Sequence, residues 1–113
     1  MNSIPGINEA YSKRILELFN HLPANTEIIL FGSRAKGNFR EGSDIDIALK
    51  GSEMGLEERD TLLNSYEELF LPWKLDIVLY ALITEPDLKD HIDRMGKILH
   101  RISATRNLCP TDK

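Results

Sequence analysis

Two residues, Gly32 and Ser33, are followed after ten others by Asp44 and Asp46, which flank a single Ile45. On an extended strand, residues two apart point the same way, so Asp44 and Asp46 share one face while Ile45, Ile47 and Leu49 share the other. Carboxylates held side by side repel, and one of them is pushed towards protonation unless a cation sits between them. The pair therefore suits a divalent ion, and hard oxygen donors suit magnesium or manganese. An amphipathic strand with its polar face in water would show the same Asp-x-Asp. What sets this one apart lies upstream. The apolar run Glu27-Ile28-Ile29-Leu30-Phe31 stops at Gly32, and Ser33 is expected to cap a brief helical turn through Arg34, Ala35 and Lys36 before Gly37 ends it. A glycine that admits close approach, a hydroxyl donor and a helix N-terminus together make a phosphate cradle. Arg34 and Lys36 read equally well as charge partners for the phosphates and as surface solubilisers.

The Gly-Ser, ten-residue spacer and Asp-x-Asp combination resembles the signature of the DNA polymerase beta nucleotidyltransferase superfamily, whose small stand-alone members are the minimal nucleotidyltransferases. The segments FGSRAKG, SDIDIAL, LPWKLDIVLY and PDLKDHIDRMGKIL carry the resemblance over roughly residues 8 to 101, with no departure at the motif positions. It implies a third carboxylate on a later strand, where Asp76 occupies the matching place. The residue itself agrees: a charge early in the apolar strand Lys74 to Tyr80 is costly unless it is paired or metal-bound. The implied reaction moves a nucleoside monophosphate from ATP, or another nucleoside triphosphate, to an acceptor hydroxyl. Two Mg2+ (or Mn2+) ions about 3.5–4 Å apart would share the work, held by Asp44, Asp46 and Asp76. Asp76 would also face the acceptor, while Gly32 and Ser33, with Arg34 or Lys36, would hold the phosphates. The resemblance further implies the antitoxin half of a toxin–antitoxin pair, adenylylating a HEPN-type ribonuclease on a tyrosine. A module that neutralises a HEPN-type partner by contact alone stays open beside it, although pure binding needs no clustered carboxylates.

Positioning these groups requires a particular set of elements. Asn8 to Leu22 has apolar residues at helical spacing, with Tyr11, Ile15, Leu18, Phe19 and Leu22 inward, and Pro23-Ala24-Asn25 ends it; His21 near that end reads as a capping or solvated residue. Lys50-Gly51-Ser52 turns the chain into a second helix, from about Gly55 to Phe70, with Leu56, Leu62, Leu63, Tyr66 and Leu69 inward and Glu57, Glu58, Glu67 and Glu68 solvated. Leu71-Pro72-Trp73 stops it and delivers a strand in which Leu75, Ile77 and Leu79 face the core. Thr84-Glu85-Pro86-Asp87 opens a helix by a capping-box-like spacing, Gly96 closes it, and Lys97 to Arg101 adds an extended piece. Because Gly32 ends one strand and Asp44 begins the next, those two must be antiparallel. Asp76 reaches them only if its strand runs parallel to that of Asp46, through a right-handed crossover. The expected fold is of α/β (α+β) type, a small mixed sheet backed by helices.

At 113 residues with 42% hydrophobic content, the chain suits one core. Residues 1–102 are expected to form a single domain and 103–113 a polar tail. Relatives that modify antibiotics, RNA or DNA carry an additional substrate domain, so here the acceptor is expected to meet this domain's own surface. A net charge of −4 disfavours direct nucleic-acid binding. The single Cys109 forms no internal disulfide, and neither a membrane-length apolar run nor a signal pattern is present, which points to the cytoplasm. A homo-oligomer is compatible with the sequence.

Overall fold

The computed structural model describes residues 3–51 and 54–102. Its elements run α1 (Glu9–Glu17), β1 (Glu27–Phe31), α2 (Ser33–Lys36), β2 (Ile45–Lys50), α3 (Leu56–Glu67), β3 (Leu75–Leu79), a 3-10 turn at Tyr80–Leu82, α4 (Pro86–Met95) and β4 (Lys97–Arg101). The sheet order is β3-β2-β1-β4, with β1 antiparallel to both β2 and β4 and β2 parallel to β3. The antiparallel and parallel pairings demanded by Gly32, Asp44 and Asp76 are thus both present.

Alternation along the strands divides the apolar residues between two faces. Ile28, Leu30, Ile45, Ile47, Leu49, Leu75, Ile77 and Leu79 pack with Ile15, Leu16 and Phe19 of α1 and its following turn and with Leu62 and Tyr66 of α3. Ile29, Phe31 and Ala48 face the other way, against Ile92 of α4 with Val78, Tyr80, Ile83 and Leu88 around them. Tyr80 fastens this second layer: its hydroxyl donates to Asp93 at 2.7 Å, and the Lys50 and Lys89 ammoniums lie 4.7 and 5.1 Å from its ring centre. At the far edge Arg101 of β4 pairs with Glu27 of β1.

Several details depart from the expectations. α1 stops at Glu17 and continues to Leu22 as successive turns, and its buried stripe includes Ser12 and Leu16, whereas Tyr11 is exposed. The reason is the Ile4–Ile7 segment lying over this helix: Ser12 Oγ accepts from Ile4 N (3.0 Å) and donates to Ile7 O (3.2 Å), fixing which side faces inward. α3 begins at Leu56, which is exposed, and ends at Glu67, with Leu63 and Leu69 half-buried. α4 starts with Pro86 at its first position, but no side chain caps it, so the capping box is not formed. Ser52, Cys109 and the segment 103–113 lie outside the described residues.

Candidate active site

The centre of the site is fixed by strand register. Asp46 stands opposite Phe31 across the antiparallel pair and beside Asp76 across the parallel one. Asp44 precedes β2 and is exposed, as is Asp76, while Asp46 between them is half-buried. Burial, with the Asp76 and Asp44 carboxylates adding to it, raises the pKa of Asp46 above its ordinary value, and Arg34 and His91 oppose that rise. The structure therefore brings all three predicted carboxylates into one electrostatic neighbourhood and concentrates their repulsion on Asp46.

Gly32 makes this packing feasible. Its backbone is left-handed, at φ 78, and a Cβ there would fall on the Asp46 carboxylate. Glycine is thus required twice over, for conformation and for space. Ser33 does not cap α2 as expected. Gly32 takes the cap position and Ser33 is the first helical residue, half-exposed, with Lys36 N bonded to Gly32 O (3.1 Å) and Gly37 N to Ser33 O (2.9 Å). The first-turn N–H groups of such a helix have no upstream helical partner, and Gly32 holds the start of that turn beside Asp46.

The two cations part company. Lys36 is exposed, but Arg34 is 1% exposed. Its guanidinium donates to Pro5 O (2.7 Å) and Ser43 O (2.7 Å), its Nε to Ser43 O and Asp44 O (both 3.3 Å), and its charge lies 5.2 Å from the centre of the Phe39 ring. Arg34, expected beside the phosphates, instead turns its guanidinium onto backbone carbonyls in this structure. Arg34 clamps the N-terminal segment to the loop that presents Asp44. Burial lowers its pKa while Asp44 and Asp46 help hold the charge.

His91, without a role in the motif pattern, is the residue added by the structure. α4 sets its ring edge-on to Phe31, with centroids 6.3 Å apart and planes at 80°. Only the placement of α4 on the sheet reveals it; the spacing of Leu88 and Ile92 was the available signal. On the opposite flank, a cleft of about 660 Å³ opens beside Asp76, walled by Tyr66, Phe70, Leu71, Trp73 and Lys74.

Among the described residues, no three His, Cys, Asp or Glu side chains close into a ready-made metal cage. The donor set nonetheless fits magnesium, which is commonly held by one or two carboxylates together with substrate phosphates and water. Asp46 and Asp76, adjacent in register and all oxygen, are such a pair.

The family described as polymerase beta nucleotidyltransferase matches residues 13–105. A probable protein adenylyltransferase, MntA of Haemophilus influenzae, is 32% identical over 76 residues, covering 66% of either chain. A crystal structure of the MntA-HpeT toxin–antitoxin pair in mutant form superimposes with a TM-score of 0.65 at 25% identity, over 90% of this chain and 79% of that one. The fold is also shared with an MNT antitoxin solved in complex with an AMPylated HEPN toxin of Shewanella oneidensis (TM-score 0.59, 22% identity, 85% and 74% covered). With the Gly-Ser turn, the acidic register and the sheet order in place, the chain belongs to the polymerase beta nucleotidyltransferase family, among its minimal nucleotidyltransferases.

Proposed function

We propose that this chain transfers AMP from ATP to a hydroxyl of a HEPN-type partner protein, and so acts as the antitoxin of a toxin–antitoxin pair in the cytoplasm. The carrying observation is the register that sets Asp46 between the Gly32-Ser33 turn and Asp76. The adenylyltransferase relative and the toxin–antitoxin structures support the choice of reaction and partner. Residues 1–102 form the domain in this reading, with 103–113 a tail.

Asp44, Asp46 and Asp76 would hold Mg2+ or Mn2+, which when bound lowers the pKa of the acceptor hydroxyl and neutralises the triphosphate. Gly32 and Ser33 receive the terminal phosphates, the backbone approaching closely because no side chain intervenes. Lys36, exposed at the end of the same turn, supplies the nearby positive charge in place of Arg34. Asp76 takes the acceptor proton as the hydroxyl oxygen bonds to the α-phosphorus; the bond to the bridging oxygen breaks and pyrophosphate leaves.

The test is mass spectrometry of the HEPN-type protein of the same genome after incubation with ATP and magnesium. Wild type should add one AMP unit, and Asp76→Asn should bind the partner without adding any. Tight binding with no increment from wild type would replace this reading with neutralisation by contact alone.

A further inference from the structure

The loop between α2 and β2 has Phe39 near its entry and Asp44 at its exit. Between them the chain closes a turn on itself: Arg40 N donates to Ser43 Oγ (2.8 Å) and Ser43 N to Arg40 O (3.0 Å). Arg34 grips both ends of that turn. Its guanidinium carbon lies 5.2 Å from the centre of the Phe39 ring, and its Nε is shared between Ser43 O and Asp44 O. Among the described residues no carboxylate sits in ion-pair contact with this buried charge. A buried cation without such a partner depends on its remaining contacts, and the face of an aromatic ring is one that attracts it without water.

The same ring meets the N-terminal segment. Gly6 is left-handed, at φ 83, and a Cβ on it would fall on the Phe39 ring and crowd Arg34 Nη1, which itself bonds Pro5 O at 2.7 Å. Gly6 is fixed by its neighbours: Ile4 and Ile7 are buried in the main core, and Ile4 N bonds Ser12 Oγ of α1. Residues 4–7 are thus a firm stop against which Phe39 and Arg34 rest. They lie upstream of residue 13, where the family match begins.

The two aspartates of the motif are held differently. Asp46 is fixed by strand register on both sides. Asp44 precedes β2 and is exposed, and the Arg34 bond to its carbonyl ties its backbone to the rest of the site. We infer that Phe39 and Gly6 are positioning residues for Asp44: they seat the guanidinium that fixes its backbone, and so set how tightly the carboxylates hold a divalent ion. The inference rests on the metal-holding role given to Asp44 above. Loosening Phe39 frees Asp44 while Asp46 stays in register.

The experiment measures Mn2+ affinity of the full chain by water-proton relaxation, with neither nucleotide nor partner present, so its outcome does not depend on transfer. Phe39→Ala should weaken Mn2+ about tenfold, the lower end for residues that orient a metal ligand. Phe39→Tyr, which keeps the ring, should restore the affinity, and Phe39→Leu, which keeps apolar bulk without a ring face, should not. Gly6→Ala should weaken Mn2+ as Phe39→Ala does, and should also lower the melting temperature, because left-handed backbone disfavours a side chain. Added to Asp44→Asn, Phe39→Ala should cost no further affinity, since its influence ends at Asp44. A second tenfold loss in that background overturns the inference. So do unmeasurable Mn2+ binding by wild type, wild-type affinity in Phe39→Ala even with a lowered melting temperature, and Phe39→Leu equal to Phe39→Tyr, which would reduce Phe39 to filling space. Weighing the partner protein after incubation with ATP and magnesium tests the transfer reading separately. Mn2+ affinities in the expected order with no AMP added by wild type keep the positioning role and sink the reaction. AMP added by wild type, with Mn2+ affinity indifferent to Phe39, does the reverse.

Discussion

On the β1 flank of Asp46 the chain leaves no freedom: Gly32 leaves no room for a side chain against the carboxylate, and Arg34 is buried and bonded to three backbone carbonyls from two other segments. On the β3 flank Asp76 is exposed, the neighbouring cleft is open, and Phe70 stands in solvent. The contrast follows from what each flank must meet. A triphosphate has a fixed shape, and a turn built on backbone groups recognises it best when rigid. A protein acceptor arrives with its own surface, and an open cleft next to the exposed Asp76 leaves room for it.

The largest effect should come from the residue both flanks share. Asp46→Asn should lower transfer by about a thousandfold or more, the several kcal/mol expected for a lost metal carboxylate. The same change should not harm the fold. The raised pKa of Asp46 means that the folded chain favours its protonated form. The stability tied to that group is full below the ordinary carboxylate pKa near 4 and is lost as pH rises through the raised value. Without metal, Asp46→Asn should therefore gain on wild type in melting temperature from about pH 4 upwards, and saturating magnesium should shrink the gain. A variant that is both inactive and destabilised at neutral pH would show Asp46 to be structural.

Next comes the clamp. Arg34→Leu leaves the carbonyls of Pro5, Ser43 and Asp44 buried without their donor and should cost about 3 kcal/mol, read as a fall in denaturation midpoint. Arg34→Lys should recover little, since an ammonium gathers its donors on one nitrogen and lacks the planar fork that spans carbonyls from two segments. Phe70→Gly on the other flank should cost nothing, because Phe70 is exposed on left-handed backbone at φ 54 that glycine adopts freely. Equal stability losses from the two would erase the contrast between them.

Arg34 also marks where the sequence stops being legible. The strands could be read because apolar runs end at glycine, proline or charge, and the pairing of Gly32 with Asp44 and Asp46 followed once those motifs were taken as one site, whereas Asp76 entered through the family resemblance. Whether a cation in a turn is buried depends on carbonyls delivered from residue 5 and from residues 43 and 44, which no local pattern encodes. Tyr11 looked inward by periodicity, yet the Ile4–Ile7 segment bonded to Ser12 sets which side of α1 is covered. His91 became visible only once Ile92 was seated on Phe31, Ile29 and Ala48.

Ser33→Ala should have a smaller, one-sided effect: about a tenfold loss at limiting ATP, the scale of one hydrogen bond to a charged oxygen, with the acceptor's KM unchanged. A change in acceptor KM instead would place Ser33 on the wrong flank.

The smallest effect tests how far the rigid flank extends. His91 reaches it from α4, edge-on to Phe31, and its charge opposes the rise in the Asp46 pKa. Because the imidazole is half-exposed, solvent screens that influence, and His91→Ala should slow transfer by only two- to threefold, about 0.5 kcal/mol, on the acid side of neutrality, where an imidazole carries charge. The direction is more telling than the size. Without His91, desolvation and the Asp76 and Asp44 charges act on Asp46 with less opposition, so its carboxyl stays protonated to higher pH. The acid limb of kcat/KM against pH should then move to higher pH in His91→Ala, while His91→Gln, which keeps a polar side chain but no charge, should move it in the same direction. A limb that shifts in neither variant, with activity nevertheless reduced, would make His91 a packing partner of Phe31 and confine the electrostatics of the site to the sheet.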